Sequence, residues 1–283
     1  MKRIGIFCEG NRHVGFGHIR RCMTLLEKLQ EESFEAEICG LSEEADELIG
    51  EKHKDNEVYD LTIIDSPLNI DNLIRERRLQ GNQIITLDYF GSENPDVNIV
   101  IYEHSEISGA EKHVGFKFQM LRKEITNLRS SWSGKGVLVT IGGGDLLGEG
   151  CKAAEKVERM GEQATLVRGP LCTQEYAKGS YRVVVNPSDF EKRLLASSWV
   201  ITNGGGSMFE AMYLGKAAVI LPQTTEERVI AEEFLRQGAI LGIGLNSVRE
   251  YKAEQIRATS AKATNCIDGL GVARILSIIK KHL

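Results

Sequence analysis

The stretch Val14 to Arg21, VGFGHIRR, constrains this chain more than any other, because of what stands on either side of it. Before it, the apolar run Ile4-Gly5-Ile6-Phe7 reads as a buried strand. After it, Ile19, Cys22, Met23, Leu25, Leu26 and Leu29 recur at helical spacing. A strand, a glycine-containing turn and a helix form the layout in which helix-start N–H groups point into a crevice and favour anions. Gly15 and Gly17 allow a tight turn and the approach of a ligand with no Cβ in the way. His18 then stands on the first helical turn, facing the crevice, as a candidate base. A helix-start histidine that only caps or packs has the same spacing.

The same alternation continues. Phe34–Cys39 is expected as a second strand and Glu43–Gly50 as an acidic helix. Leu61–Ile64 runs into Asp65, Ile70–Leu79 follows as a helix, Ile84–Leu87 runs into Asp88, and Val97–Ile101 is a further strand. Continuous apolar runs, rather than alternating ones, mean strands covered on both faces, hence a parallel sheet of βαβ units. In such sheets ligands bind beyond the carboxyl ends of the strands, where His18, Asp65 and Asp88 all fall. Arg20, Arg21 and Arg122 are candidate substrate contacts, with the alternative that arginines beside helices are mostly solvated. An aspartate ending a strand also serves as a cap or turn residue.

The pattern weakens between Gly115 and Gly136, and Ser130–Gly136 is polar and turn-rich, which marks a domain boundary. A second alternating series begins at Val137–Ile141, which ends in Gly142-Gly143-Gly144-Asp145 before a helix from about Glu149 to Met160. Strands follow at Ala164–Val167, Tyr181–Val185, Trp199–Thr202, Ala217–Leu221 and Ile240–Ile243. Helices are expected at Phe190–Ala196, Met208–Tyr213, Glu226–Arg236 and Val272–Leu283. The expectation is therefore an α/β protein of two Rossmann-like domains, residues 1–132 and 133–283, with parallel sheets facing each other across a cleft.

A second anion site is expected at Asn203-Gly204-Gly205-Gly206-Ser207, between a strand and a helix. A diphosphate would lie on the Ser207 helix start and Glu210 would accept ribose hydroxyls, with Gly142, Gly143 and Gly144 lining the opposite side of the pocket. Ser207 and Glu210 also have the spacing of a purely structural capping box. Neither glycine run matches GxGxxG or GxxxxGK[ST], which disfavours a dinucleotide cofactor and a P-loop; no cofactor is expected.

Composition sets outer bounds. A chain of 283 residues with 42% hydrophobic and 27% charged residues suits a globular protein of two ordinary domains. No apolar run approaches the ~20 residues of a membrane span, and MKRIGIF leads into a strand rather than a signal peptide. Six scattered cysteines without CxxC suggest buried free thiols rather than disulfides or a metal cluster, so a cytoplasmic protein without a metal is expected. The net charge of −5, without a long basic block, argues against nucleic acid as a partner.

With both glycine sites in view, the chain resembles the family of the pseudaminic acid pathway UDP-sugar hydrolase and the SpsG-like proteins, which are MurG-related nucleotide-sugar enzymes of the GT-B architecture. The likeness rests on Val14-Gly15-Phe16-Gly17-His18-Ile19-Arg20-Arg21, Ile64-Asp65, Leu87-Asp88, Gly115-Phe116 with Leu121-Arg122, Ile141–Asp145, and Gly204–Ser207 with Glu210. These occur in the family's order over nearly the whole chain.

The resemblance implies a nucleotide held by the C-terminal domain, a sugar facing the N-terminal one, and a last helix packing back on the first domain. It implies release of UDP from a UDP-linked aminosugar by water attack at the anomeric carbon, with His18 as the base. The helix-start amides near Ser207 would serve the departing phosphate. The product would feed nonulosonate or surface-glycan synthesis.

Three stretches depart from the family pattern. An Arg-x-Asp after the first strand is absent, with Glu9 the nearest carboxylate that could stand in for it; Ser66-Pro67-Leu68 lacks an aromatic residue; and Glu226-Glu227-Arg228 replaces a Gln/Asn-containing stretch. Two other readings share the architecture: a glycosyltransferase moving the sugar to an acceptor, and an inactive nucleotide-sugar binder. The short Ile99–Tyr102 run among acidic residues does not favour a lipid acceptor.

Overall fold

The computed structural model describes residues 2–11, 13–50, 58–102, 107–145, 147–172 and 180–283. It separates into two compact units, Met1–Arg122 with Gly269–Leu283, and Lys123–Asp268.

In unit 1, β1 (Arg3–Cys8), α1 (Gly17–Glu31), β2 (Glu35–Gly40), α2 (Glu43–Ile49), β3 (Leu61–Asp65), α3 (Asp71–Leu79), β4 (Gln83–Leu87), β5 (Val97–Val100) and β6 (Glu111–Val114) follow in order. Among the described residues the strands form one sheet, β2-β1-β3-β4-β5-β6. Every pairing in it is parallel. Register places Cys8 beside Asp65 and Asp65 beside Leu87, so the carboxyl ends lie level with one another.

Both faces of this sheet are covered. Ile4, Ile6 and Cys8 pack with Ile19, Cys22, Leu25 and Leu29 of α1. Phe7, Ile64 and Ile84 project to the other face and pack with Ile70 and Ile74. Successive residues of β1 therefore all need apolar side chains, which is why the run shows no alternation.

Unit 2 holds α4 (Lys123–Thr126), β7 (Val137–Thr140), α5 (Glu149–Arg159), β8 (Ala164–Arg168), β9 (Arg182–Val185), α6 (Phe190–Ala196), β10 (Trp199–Thr202), α7 (Gly206–Tyr213), β11 (Ala218–Ile220), α8 (Thr225–Arg236), β12 (Gly242–Ile243) and α9 (Ala253–Cys266). Its parallel sheet runs β12-β11-β10-β7-β8-β9 among the described residues. The last helix, α10 (Gly271–Lys281), belongs to unit 1, where Ile275, Leu276, Ile278 and Ile279 complete the core over α1. Gly271 is required at its start, since a Cβ there would collide with the Gln119 carbonyl.

Three elements go beyond the sequence expectations, the first of them the single turn α4 in the stretch where the pattern weakens. β6 reads Glu-Lys-His-Val at the sheet edge and carries no apolar run. The buried positions of α9 are Ile256, Ser260 and Ala263, a stripe of mostly small residues without an apolar period. Elsewhere the expected and observed ends differ by one or two residues.

One buried charge in unit 2 was not anticipated. Lys216 is fully buried, and its ammonium donates to the Ser133 carbonyl at 2.8 Å and the Ser197 carbonyl at 2.9 Å. Among the described residues no carboxylate offsets its burial, which pushes its pKa down to about 8. A folded-state value below the unfolded value of about 10.4 means the folded state releases its proton first, so stability from this group rises with pH between the two values. Thermal melts of the wild type and Lys216→Met should show the wild type gaining on the variant from pH 8 to 10. A difference that stays flat over this range contradicts the assignment.

Candidate active site and anion-binding loops

In unit 1 the charged residues at the strand ends form one network centred on Asp65. Its side chain is completely buried at the end of β3. The guanidinium of Arg21, one turn into α1, donates to it through Nε and Nη2, both at 2.5 Å. Arg21 Nη1 reaches Asp88 Oδ2, just beyond β4, at 2.6 Å. The other oxygen of Asp88 accepts the backbone N–H of Ile101 at 2.9 Å, and Asp88 takes a positive φ of 51° to do so. The Cys22 thiol adds a longer contact to Asp65 at 3.5 Å.

His18 completes the network, with Nδ1 2.7 Å from Asp65 Oδ1. Burial acts to raise the Asp65 pKa, but the charges and hydrogen bonds of Arg21 and His18 outweigh it and hold this carboxyl well below the usual carboxylate range. An ionised carboxylate only accepts hydrogen bonds, so the Nδ1 that faces it carries a proton. The imidazole is 23% exposed, unlike the buried carboxylate behind it. The pair has parts that a general base needs: an orienting carboxylate and an imidazole with an accessible edge.

Glu9 does not stand in for a carboxylate beside this histidine. It is buried, and its Oε1 accepts the Gly10 N–H and the Ser42 hydroxyl, both at 2.8 Å. It therefore anchors the turn into α2, while Asp65 takes the place next to His18. Gly15 has a φ of 85°, which a side chain would disfavour, and donates to Asn11 O at 2.8 Å. Gly17, the first residue of α1, is exposed and has open space where a Cβ would stand. No side chain caps α1.

Unit 2 treats its helix starts differently. The carboxylate of Asp145 accepts the N–H groups of Glu149 at 2.9 Å and Gly150 at 2.7 Å, which closes the start of α5. Thr224 caps α8 through the Glu227 N–H. α7 has no side-chain cap. Its N-cap is Gly205 and its first residue Gly206, so Ser207 is already the second helical residue and the capping box with Glu210 does not form. Gly206 is exposed with open space at its Cβ position, Ser207 is half-buried, and Glu210 is buried one turn further in.

Gly142, Gly143 and Gly144 form the loop after β7, beside the β10–α7 loop. Gly142 has a φ of 57°, and a Cβ on it would stand 3.1 Å from Asn203 Oδ1. Two residues that the sequence analysis named only within longer stretches meet here. Asn203 Nδ2 donates to Glu227 Oε1 at 2.5 Å, and Glu227 Oε2 accepts the Gln223 N–H at 2.7 Å. Among the described residues no group of three or more His, Cys, Asp or Glu side chains is placed to hold a metal ion. Nor is any helix among them long and apolar enough to cross a membrane.

No protein-family model matches the chain. It is 20% identical over 340 residues to the spore coat polysaccharide biosynthesis protein SpsG of Bacillus subtilis, covering 98% of this chain and 97% of that one. Its structure is similar to MurG of Acinetobacter baumannii, with a TM-score of 0.68 and 12% identity over 99% of this chain and 100% of the other. It is also similar to UGT2 of Phytolacca americana, complexed with UDP-2fluoro-glucose and pterostilbene, with a TM-score of 0.67 and 10% identity over the full length of both. The fold is thus α/β of the GT-B type, with two Rossmann-like units.

Asp65→Asn should test the network itself. It replaces one of Arg21's two carboxylate partners by a neutral amide and leaves Asp88, so the cost should approach but not exceed the ~3–5 kcal/mol of a fully broken buried pair. Because the Asp65 pKa is depressed by folding, its contribution is complete above about pH 4 and is lost as pH falls further. Urea unfolding should show the wild-type advantage at pH 7 shrinking below pH 4. Equal midpoints at pH 7 would contradict the buried pair.

Proposed function

We propose that this protein is a nucleotide-sugar enzyme, and specifically a hydrolase that releases UDP and a free sugar from a UDP-linked aminosugar for surface-polysaccharide or nonulosonate synthesis. The observation that carries the reading is the His18–Asp65 pair, with Nδ1 bound to a buried carboxylate at 2.7 Å and the ring edge accessible.

In this reading His18 Nε2 takes a proton from water as its oxygen attacks the anomeric carbon. The bond from that carbon to the diphosphate oxygen breaks, and UDP departs with the electron pair. Asp65 orients the imidazole and stabilises its cation, while Arg21 keeps Asp65 ionised. Diphosphate is a good leaving group, so a single base and hydrogen-bond donors for the departing charge suffice.

Unit 2 supplies the donors. The uncapped start of α7 offers its N–H groups and its positive dipole end to the diphosphate, near Gly205, Gly206 and Ser207. Glu210 is assigned to the ribose. Gly142, Gly143 and Gly144, beside that loop, complete the nucleotide side, and Gly15 and Gly17 keep the approach to His18 open. The name of SpsG, a polysaccharide biosynthesis protein, supports the setting, and UDP-2fluoro-glucose in the UGT2 complex supports the donor class. Six cysteines, none of them in a disulfide, favour the cytoplasm as its place of action.

The test is UDP release from a panel of UDP-aminosugars with no acceptor present. The wild type should turn over repeatedly, and His18→Ala should lose about 10²–10⁴-fold in kcat while still binding UDP. Release that appears only when an acceptor is added would replace water by that acceptor and make the protein a transferase. UDP binding without release under either condition would leave a binding protein.

A further inference from the structure

Glu227 stands at the start of α8, yet its side chain turns to the loop that begins α7. Its Oε1 takes the Asn203 amide at 2.5 Å and its Oε2 takes the Gln223 N–H at 2.7 Å. The Gly204 N–H donates to it as well. One carboxylate thus gathers donors from both sides of the loop.

The glycines around it are shaped to this contact. A Cβ on Gly204 would come within 2.7 Å of both the Cβ and the carbonyl oxygen of Glu227. A Cβ on Gly205 would lie 3.0 Å from Asn203 Nδ2 and 3.2 Å from Glu227 Oε1. On the far side, Asn203 Oδ1 faces Gly142. The Asn203–Glu227 pair fills the space between the two glycine loops. Gly206, the next residue along, is the one with open space around it.

We propose that Glu227 is a positioning residue for nucleotide binding: by holding Asn203 and Gly204 it fixes the backbone N–H groups at the α7 start in the geometry that receives the diphosphate. This rests on the reading that UDP binds there. It also gives a role to the Glu226-Glu227-Arg228 stretch, which the enzymatic reading leaves unused. Burial raises the pKa of Glu227 above the ordinary carboxylate value, and the hydrogen bonds of Gln223, Asn203 and Gly204 offset part of that rise.

Glu227→Gln replaces one acceptor oxygen by a donor, and Asn203→Ala removes the other end of the same bond. Calorimetric titration with UDP should show Kd weakened about tenfold or more in each. The double variant should lose no more than the worse single one, because both break one interaction. In UDP release, KM should rise with kcat held within about threefold, a split that general loss of structure would not give.

Melting curves identify which variants are folded, and either one alone is sufficient for the comparison. An unchanged UDP Kd in a folded variant overturns the proposal and leaves the UDP reading standing. Failure of the wild type to bind UDP overturns that reading and the proposal with it.

Discussion

The buried bond between Arg21 and Asp65 is the interaction on which the organisation of unit 1 depends. Taking either charge out of water costs several kcal/mol, and the guanidinium meets that cost by donating to two carboxylates. Asp65 and Asp88 end neighbouring strands and Arg21 lies on α1, so one side chain ties a helix to two strand ends. His18 comes with it, since it stands three residues earlier on the same helix face. The proton on the histidine's Nδ1 is therefore a consequence of the charge pair. The same carboxylate that balances Arg21 faces that nitrogen.

Unit 2 solves a different problem with the same elements. Its sheet feeds several helices whose first N–H groups need partners. Asp145 answers for α5 and Thr224 for α8. The start of α7 has no such side chain, and the structure invests instead in its shape: three glycines, with Asn203 and Glu227 wedged against them. A glycine loop would pay for its freedom in entropy on binding a ligand, and a clamp lowers that cost in advance.

The βα alternation was legible because strands covered on both faces leave continuous apolar runs, as in Ile4–Phe7, Leu61–Ile64 and Trp199–Thr202. β6 and α9 were not, because an edge strand and a helix packed through Ser260 and Ala263 have no such signature. At the candidate site, the residue types and their strand-end positions could be read for His18, Asp65 and Asp88. The partners could not. Glu9 and Asp65 both lie near His18 by strand order, and only the packing of Glu9 onto Ser42 separates them. Glu227 was visible as part of a departure from the family pattern, but its link to Asn203 was not, since it spans 24 positions of sequence.

Periodicity, glycine placement and strand-end residues are local properties, and by themselves they determined the two α/β halves and where the glycine loops and strand-end charges fall in them. Which carboxylate pairs with which base is a matter of a few ångströms between segments far apart in the chain. That was decided by the tertiary structure, because sheet register brings Cys8, Asp65 and Leu87 level. The packing of α1 on that sheet then brings Arg21 and His18 to the one carboxylate that is fully removed from water. The same holds for the helix starts: their sequences all permit an anion, and the fold leaves that of α7 uncapped while closing those of α5 and α8.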